Sequence, residues 1–411
     1  MMHLLEGDVA RQLSESAIRI VKATVPAIEA YGLAITQRMY DRMFADPAVR
    51  SLFNQSHHGE GGSQPRALAA AVLAYAQNID NLGALTGAVE RIAQRHAGLN
   101  ILPEHYPAVA EALLGAIKDV LGDAATPEVL AAWGEAYWFL ADILMSREAA
   151  IYRQHAEAPG GWTGWRDFVV VEKRRESDVV TSFVLKPADG GKVLRHRPGQ
   201  HLTFTLEPPG RAPLKRNYSV SSAPSDDHYR ISVKREPFGA ASNWLHDHAA
   251  LGTVLKTSAP AGEFVAPETL ERPLVLISGG VGVTPLLSML AAVADQPAHP
   301  VHFVHAAVSG ATHALGAEAR ALAAASGGAV KVTTFYETPR DVDVRGEAYD
   351  ETGRVTAEWL SAHTPLAGAD YFLCGPRPFL HAIASALVEL GVPSAQIRYE
   401  FFGPTDETLA A

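Results

Sequence analysis

The chain has one cysteine, Cys374, in 411 residues. A single cysteine excludes an intramolecular disulfide and any multi-cysteine metal or iron–sulfur site within one chain, and it suits a reducing compartment. Positive charge is also in short supply: 35 Lys and Arg against 45 Asp and Glu leave a formal charge of −10. Nucleic acid and anionic membrane both reward a basic surface, so neither is an expected partner, and small molecules are. The opening Met1-Met2-His3-Leu4-Leu5-Glu6-Gly7-Asp8 lacks the basic start and apolar core of a signal peptide, and the expected location is the cytoplasm. One charge-free run, residues 274–294, is long enough to span a membrane by length alone. Gly279, Gly280, Gly282 and Pro285 interrupt it, so it reads as buried strand, turn and buried helix, with no stable membrane insertion.

What is present is a well-provisioned core. Hydrophobic residues make up 47% of the chain and charged ones 19%, the proportions of a globular protein, and 411 residues suggest three domains. Up to about residue 156 the periodicity is helical: Ile35, Met39 and Met43 recur at four, and Leu130, Trp133, Tyr137, Leu140 and Leu144 at three and four. Pro26, Pro47, Pro65, Pro103, Pro107 and Pro127 stand where helices can start or stop. Pro159-Gly160-Gly161 reads as a linker. Short β-rich runs follow at 168–171, 181–185, 201–206 and 229–233, separated by Pro and Gly, which predict a small antiparallel barrel. From about Arg272 onward, apolar strands at 274–278, 301–305, 331–335 and 371–374 alternate with helical segments, the pattern of a parallel α/β sheet. The expected fold is therefore multidomain, all-α, then antiparallel β-barrel, then α/β, with domains at 1–157, 162–268 and 269–411.

Among 17 histidines, His96 closes a helical run whose Val89, Ile92 and Ala93 supply an apolar face. An iron porphyrin on one axial imidazole needs such a residue, yet a lone helical histidine is more often a surface or satisfied core group. Its surroundings add weight. Tyr40-Asp41-Arg42-Met43-Phe44, Leu52-Phe53-Asn54, Gln64 four before Leu68, and Ala93-Gln94-Arg95-His96 occur in the order and spacing of the globin domain of flavohaemoglobins, which this segment resembles. The resemblance implies haem b with its iron on His96 and Phe53 packed on the macrocycle. It places Tyr40, Gln64 and Leu68 on the distal side. Tyr106 and Glu148 match the family's partners of the proximal histidine, and such partners fix the tautomer and raise basicity. Arg95 stands where relatives often have Lys, keeping the charge and changing hydrogen-bond geometry.

The rest of the chain resembles the ferredoxin–NADP⁺ reductase superfamily. Arg216-Asn217-Tyr218-Ser219 fits its Arg-x-Tyr-Ser flavin motif, with Arg197-Pro198-Gly199-Gln200 upstream and Gly239-Ala240-Ala241-Ser242-Asn243-Trp244-Leu245 downstream. The resemblance implies FAD, its diphosphate held by Arg216, Gly239 and Ser242 at a helix start, and its ring by Tyr218 and Ser219. His201 stands where flavohaemoglobins commonly have a tyrosine beside the flavin. Gly280-Val281-Gly282-Val283-Thr284-Pro285, between strand and helix, has the context of a dinucleotide loop, and Pro285 replaces the third glycine of the common fingerprint. In the superfamily, Cys374-Gly375-Pro376 completes the nicotinamide site. Tyr399-Glu400-Phe401-Phe402-Gly403-Pro404 resembles the flavohaemoglobin closing motif, in which the aromatic at Phe402 covers the flavin and Glu400 lies near its edge; Phe401 replaces a common Cys.

Together the motifs outline an electron path from NADH or NADPH through FAD to haem. The family resemblance implies a nitric oxide dioxygenase, acting as a monomer on NO and O₂. A lipid or alkyl hydroperoxide reductase on the same scaffold and an NAD(P)H reductase for a separate partner are the alternatives. Beyond the second strand of the last domain, His305-Ala306-Ala307-Val308-Ser309 contains no Arg or Lys to pair with a 2′-phosphate, so NADH is the expected donor. Steady-state kinetics with each donor check this: kcat/KM should be clearly higher for NADH, and comparable values would contradict it.

Overall fold

The structure, a computed structural model, describes residues 12–50, 52–53, 63–210, 212–295 and 297–402. It contains two compact units that divide between Ala156 and Glu157.

The first unit is helical. Its elements are α1 (Glu15–Ala23), α2 (Val25–Met43), α3 (Pro47–Arg50), α4 (Ser63–Gln77), α5 (Thr86–Leu99), α6 (Tyr106–Leu121) and α7 (Pro127–Glu157). Ser14 caps α1 by accepting from the Ala17 amide at 3.1 Å. Pro26 sits in the first turn of α2, where a missing N–H costs nothing. The predicted stripe is the buried face of that helix: Ile28, Ile35, Met39, Tyr40 and Met43 enter one apolar cluster with Trp133 and Ala136 of α7. A second cluster gathers Ala93, Ala97, Tyr106, Ala141, Leu144 and Ile151, and Tyr137 and Leu140 touch both. Helix α5 stops one turn after His96 because Asn100 turns left-handed, at φ 56°, and the Ile101 amide closes on the His96 carbonyl at 3.0 Å.

The second unit opens with a six-stranded antiparallel sheet ordered β4-β3-β6-β1-β2-β5. Its strands are β1 (Arg166–Arg175), β2 (Val180–Pro187), β3 (His201–Leu206), β4 (Leu214–Ser219), β5 (Tyr229–Lys234) and β6 (Val254–Thr257), with α8 (Ala240–His248) between the last two. Phe168, Phe183, Leu202, Phe204 and Ile231 form its core. The parallel sheet follows, ordered β10-β9-β8-β7-β11-β12. It comprises β7 (Leu274–Gly279), β8 (Val301–Ala307), β9 (Val330–Tyr336), β10 (Glu351–Thr352), β11 (Asp370–Cys374) and β12 (Ile397–Glu400), with α9 (Val283–Val293), α10 (Gly316–Ala325), α11 (Ala357–His363) and α12 (Arg377–Glu389) as crossovers. The charge-free run is strand β7, a 3₁₀ turn at Gly280–Gly282 and α9, all inside the sheet layers. Among the described residues, no helix is long and apolar enough to cross a membrane. Strands β4, β6, β10 and β12 lie outside the β-rich runs read in the sequence; β4 carries the Arg216-Asn217-Tyr218-Ser219 motif among polar residues, and the others, at two to four residues, are too short for a periodic signal.

The two sheets share one body. Val180, Phe264, Ala266 and Leu270 of the barrel side enter the same apolar cluster as Leu286, Leu290 and Phe372 of the parallel layer. Polar pins reinforce the seam: Arg230 closes bidentately on Glu318 at 2.6 and 3.0 Å, and Ser288 donates to the Ser222 carbonyl at 2.7 Å while meeting His196 at 3.0 Å.

Burial pushes the imidazoles of His196, His302 and His313 down to about 4. These bases are neutral in the fold and near ~6.5 when unfolded, so protons favour the unfolded chain. Stability is complete above pH ~6.5 and is lost progressively as pH falls toward 4, by roughly 3 kcal/mol for each fully buried group at the limit. Calorimetry of the full chain should show the transition of the second unit moving to lower temperature between pH 7 and pH 4.5; a pH-independent transition would contradict this account.

Candidate functional site

On the helical unit the site is built around a buried charge. Glu148 is 2% exposed on α7, and its Oε1 accepts from the Tyr106 hydroxyl at 2.6 Å and meets His96 Nδ1 at 2.7 Å. The same Nδ1 lies 3.3 Å from the Tyr106 oxygen. Helices α5, α6 and α7 thus each give one side chain to one point. Burial, then the Glu148 carboxylate, pushes the Tyr106 hydroxyl far above its ordinary range, so it remains a donor. With Nδ1–H committed to Glu148, the His96 tautomer carries its lone pair on Nε2, which makes no hydrogen bond among the described residues. A single imidazole with an available nitrogen, flanked by the apolar Val89, Ile92 and Ala93, fits the axial ligand of a haem. Arrangements that the sequence did not disclose hold it in place: Arg147 clamps Glu90 at 2.6 and 2.9 Å, joining α5 to α7 one residue from Glu148, and the Tyr137 hydroxyl donates to the Tyr106 carbonyl at 2.7 Å.

The predicted distal residues also come together. Tyr40 is buried, its hydroxyl pushed up to about 12 by burial, and it shares a hydrogen bond with Gln64. The Phe53 ring meets Tyr40 edge-on at 5.9 Å and Phe44 at 5.3 Å, and Leu68 packs on the same cluster. Two polar groups therefore stand in an otherwise apolar wall.

In the barrel, β3 and β4 pair so that His201 faces Ser219, Leu202 faces Tyr218 and Phe204 faces Arg216. Arg216 and Tyr218 are largely withdrawn from water, and burial moves the Arg216 guanidinium down and the Tyr218 hydroxyl up from their ordinary values. His201 is buried, 3.3 Å from the Asn217 amide, with Gly262 packed so closely that a Cβ there would stand 3.0 Å from its Nδ1. Gly239 caps the start of α8, where a Cβ would meet the Ser242 hydroxyl at 2.5 Å; Ser242 Oγ accepts from the Glu236 amide at 3.1 Å. Beside this turn lies a groove of about 530 Å³ lined by Pro208, Pro209, Phe238, Gly239, Trp244 and His248 among others. Phe238 is fully exposed at its mouth and left-handed, at φ 63°, a conformation that costs a bulky residue energy and that no composition signal announces. A cationic side chain on a strand and a tight helix start each suit a diphosphate.

The parallel sheet joins the two nicotinamide motifs through backbone. β11 pairs with β7, Cys374 opposite Ser278. A Cβ on Gly282 would lie 2.2 Å from the Cys374 carbonyl oxygen and 2.7 Å from the Gly375 nitrogen, so Gly280-Val281-Gly282 can seat on Cys374-Gly375-Pro376 only without a side chain. Thr284 donates to the Val281 carbonyl at 3.1 Å, and Val283, Thr284 and Pro285 are already buried in the first turn of α9, which tightens the loop. Cys374 is fully buried and its thiol is pushed well above its usual range by burial, then by Glu400, so it stays protonated and unreactive. Glu400 pairs with Cys374 across β11 and β12, Arg377 covers the Phe401 ring at 4.8 Å, and Phe402 is exposed. Gly403 and Pro404 lie outside the described residues.

Comparison with known proteins agrees with this order. Residues 37–144 match the globin family, 167–265 the oxidoreductase FAD-binding domain and 276–385 the oxidoreductase NAD-binding domain. A flavohemoprotein of Xylella fastidiosa (strain 9a5c) is 50% identical over 406 residues, 98% of this chain and 100% of that protein. One from Rhodopirellula baltica is 48% identical, covering 97% and 100%. The crystal structure of a flavohemoglobin from Malassezia yamatoensis with bound FAD and heme superposes with a TM-score of 0.85 at 29% identity, over 95% of this chain and 100% of that one. The FAD/NAD-binding domain of nitric oxide dioxygenase from Vibrio cholerae is 40% identical, over 58% of this chain and 99% of that one, with a TM-score of 0.53. Fold and site define an oxidoreductase with a globin domain and an FAD- and NAD-binding reductase portion. The chain belongs to the flavohaemoprotein family, and its cofactors are haem, FAD and NAD(P).

If His96 is the axial ligand, His96→Ala should lose haem while NADH still bleaches the flavin band. Pyridine haemochrome and flavin spectra on the purified variant check this, and retention of stoichiometric haem would refute the assignment.

Proposed function

We propose that the chain is a nitric oxide dioxygenase, in which NO, O₂ and one electron give nitrate, so that one NAD(P)H serves two turnovers. The observation that carries the reading is the Glu148 carboxylate, buried and shared between His96 and Tyr106, in a chain that also holds both reductase folds. Bound FAD divides the electron pair of a nicotinamide into single electrons, and haem iron supplies one-electron and dioxygen chemistry.

The residues divide the remaining work. Glu148 accepts a hydrogen bond from His96 Nδ1–H and Tyr106 donates to the same carboxylate, which orients the imidazole and makes it a stronger electron donor, favouring oxygen activation over storage. Tyr40 and Gln64, hydrogen-bonded to one another in an apolar wall with Leu68 and Phe53, supply the polar atoms that orient a diatomic ligand. Arg95 keeps a cation beside the ligand turn. Arg216, Gly239 and Ser242 hold the FAD diphosphate; Tyr218, Ser219, Asn217 and His201 border the flavin; Glu400, Phe401 and Phe402 close over it with Gly403 and Pro404. The loop from Gly280 to Pro285 and the Cys374-Gly375-Pro376 turn hold the nicotinamide dinucleotide. The proposed domains are 1–157 for haem, 162–268 for FAD and 269–411 for NAD(P). The relative from Vibrio cholerae, described as a nitric oxide dioxygenase, supports the same reading.

The test is NO consumption by the haem- and FAD-loaded protein in air-equilibrated buffer with NADH. NO should vanish with nitrate formed mole for mole, and Glu148→Gln should slow turnover roughly 10- to 100-fold with haem content intact. Slow NO loss beside fast NADH oxidation would move the assignment to hydroperoxide reduction or to a separate electron acceptor.

A further inference from the structure

β8 is the second strand of the dinucleotide-binding layer, and the loop beyond such a strand reads the ribose next to adenine. An acidic side chain there bonds a free 2′-hydroxyl, whereas an arginine accommodates a 2′-phosphate. Along the chain, Val308-Ser309-Gly310-Ala311 offers neither. The fold delivers both from the segment that follows β9.

Thr338 donates its amide to the Val308 carbonyl at 2.9 Å, which lays this segment against the loop. Asp343, its side chain 4% exposed, then accepts from the Gly310 amide at 3.1 Å and from the Arg340 amide at 2.9 Å. The Arg340 guanidinium closes on the same carboxylate, Nη2 to Oδ1 at 2.9 Å and Nε to Oδ2 at 3.3 Å. A Cβ on Gly310 would stand 2.3 Å from Asp343 Oδ1 and 3.0 Å from Arg340 Nη2, so the ion pair touches the loop itself. Both carboxylate oxygens accept hydrogen bonds and the side chain is 4% exposed, so Asp343 is turned toward Arg340 and the loop and away from a ribose hydroxyl. Arg340 is 45% exposed and faces the loop with its charge matched.

Resting on the nicotinamide assignment of this domain, we infer that Asp343 holds Arg340 against the β8 loop as a withheld phosphate partner. The chain then favours NADH because its arginine is occupied, although it has one. A 2′-phosphate must compete with a preformed, bidentate carboxylate for the same guanidinium, and that carboxylate also repels it.

The experiment is calorimetric binding of 2′,5′-ADP and of 5′-AMP to the full-length holoprotein, alongside kcat/KM for NADPH and NADH. Asp343→Asn should tighten 2′,5′-ADP about tenfold, the scale of one charge-assisted hydrogen bond, leave 5′-AMP unchanged and raise the NADPH-to-NADH ratio by a similar factor. Arg340→Ala alone should move neither by more than about twofold, and combined with Asp343→Asn it should abolish the gain. Arg340→Lys, an exposed change that keeps the charge but cannot grip both oxygens, should give a smaller gain in the same direction and serves if Asp343→Asn does not fold. An unchanged ratio in a well-folded Asp343→Asn, no gain in Arg340→Lys, or a gain that survives Arg340→Ala would overturn the inference. Failure of the wild type to oxidise or bind NADH would instead overturn the nicotinamide assignment beneath it.

Discussion

One buried carboxylate organises the helical unit. Removing an ion such as Glu148 from water costs several kcal/mol unless partners replace the lost solvent, and the fold supplies two of them through a single oxygen. The other oxygen, Oε2, is buried without a partner among the described residues. Such a group tolerates no slack: α5, α6 and α7 must converge within hydrogen-bond distance or leave the charge stranded. The Arg147–Glu90 clamp and the Tyr137–Tyr106 bond stop those helices from sliding apart. The constraint that stabilises the bundle is thus the same one that selects the His96 tautomer, and with it the chemistry open to Nε2.

The second unit solves its positioning problem by removing atoms. Gly282 fits over the Cys374 carbonyl only because it has no Cβ, and Gly375 is similarly pressed by Phe379, 2.8 Å from where its Cβ would be. Backbone N–H groups and a helix start can then face a diphosphate at close range, which a side chain would prevent. Rigidity comes from the layer behind, since every residue of β7 is buried and Leu286, Leu287, Met289 and Leu290 of α9 are fully enclosed. A loop so backed can hold a ligand without paying to order itself first.

Much of this was legible in the sequence where local rules and final contacts coincide. The alternation of His201-Leu202-Thr203-Phe204-Thr205-Leu206 describes β3, whose apolar Leu202, Phe204 and Leu206 enter the barrel core, and the apolar run of β7 describes a strand buried on both faces. His96, Tyr106 and Glu148 were joined by resemblance; periodicity alone places them on three separate helices and cannot say that they meet. Arg340 escaped because it reaches the β8 loop from some 30 residues downstream, through a turn whose order depends on Asp343. Phe238 escaped because no local pattern announces an aromatic that stands in solvent in a left-handed conformation at the mouth of a groove. Short strands such as β12 exist only because a neighbour pairs with them, so no window of residues announces them.

The two halves of the chain therefore handle charge in contrary ways, and the contrast follows from their tasks. On the haem side the Glu148 carboxyl group is kept in the interior, where low polarity strengthens its hydrogen bond to the imidazole. In the reductase portion the buried imidazoles and the thiol are held neutral: His196, His302, His305 and His313 are depressed by burial and the Cys374 thiol is raised by it, while buried Arg230 keeps its charge against Glu318. The Asp343 carboxylate is likewise matched by Arg340, at 2.9 Å. A dinucleotide brings its own charges into that layer, and a framework whose internal charges are paired lets the helix start set its pose with little competing field. In both units a buried ionisable group is either held neutral by its surroundings or given partners at hydrogen-bond distance, as His96 and Tyr106 are to Glu148 and Glu318 is to Arg230.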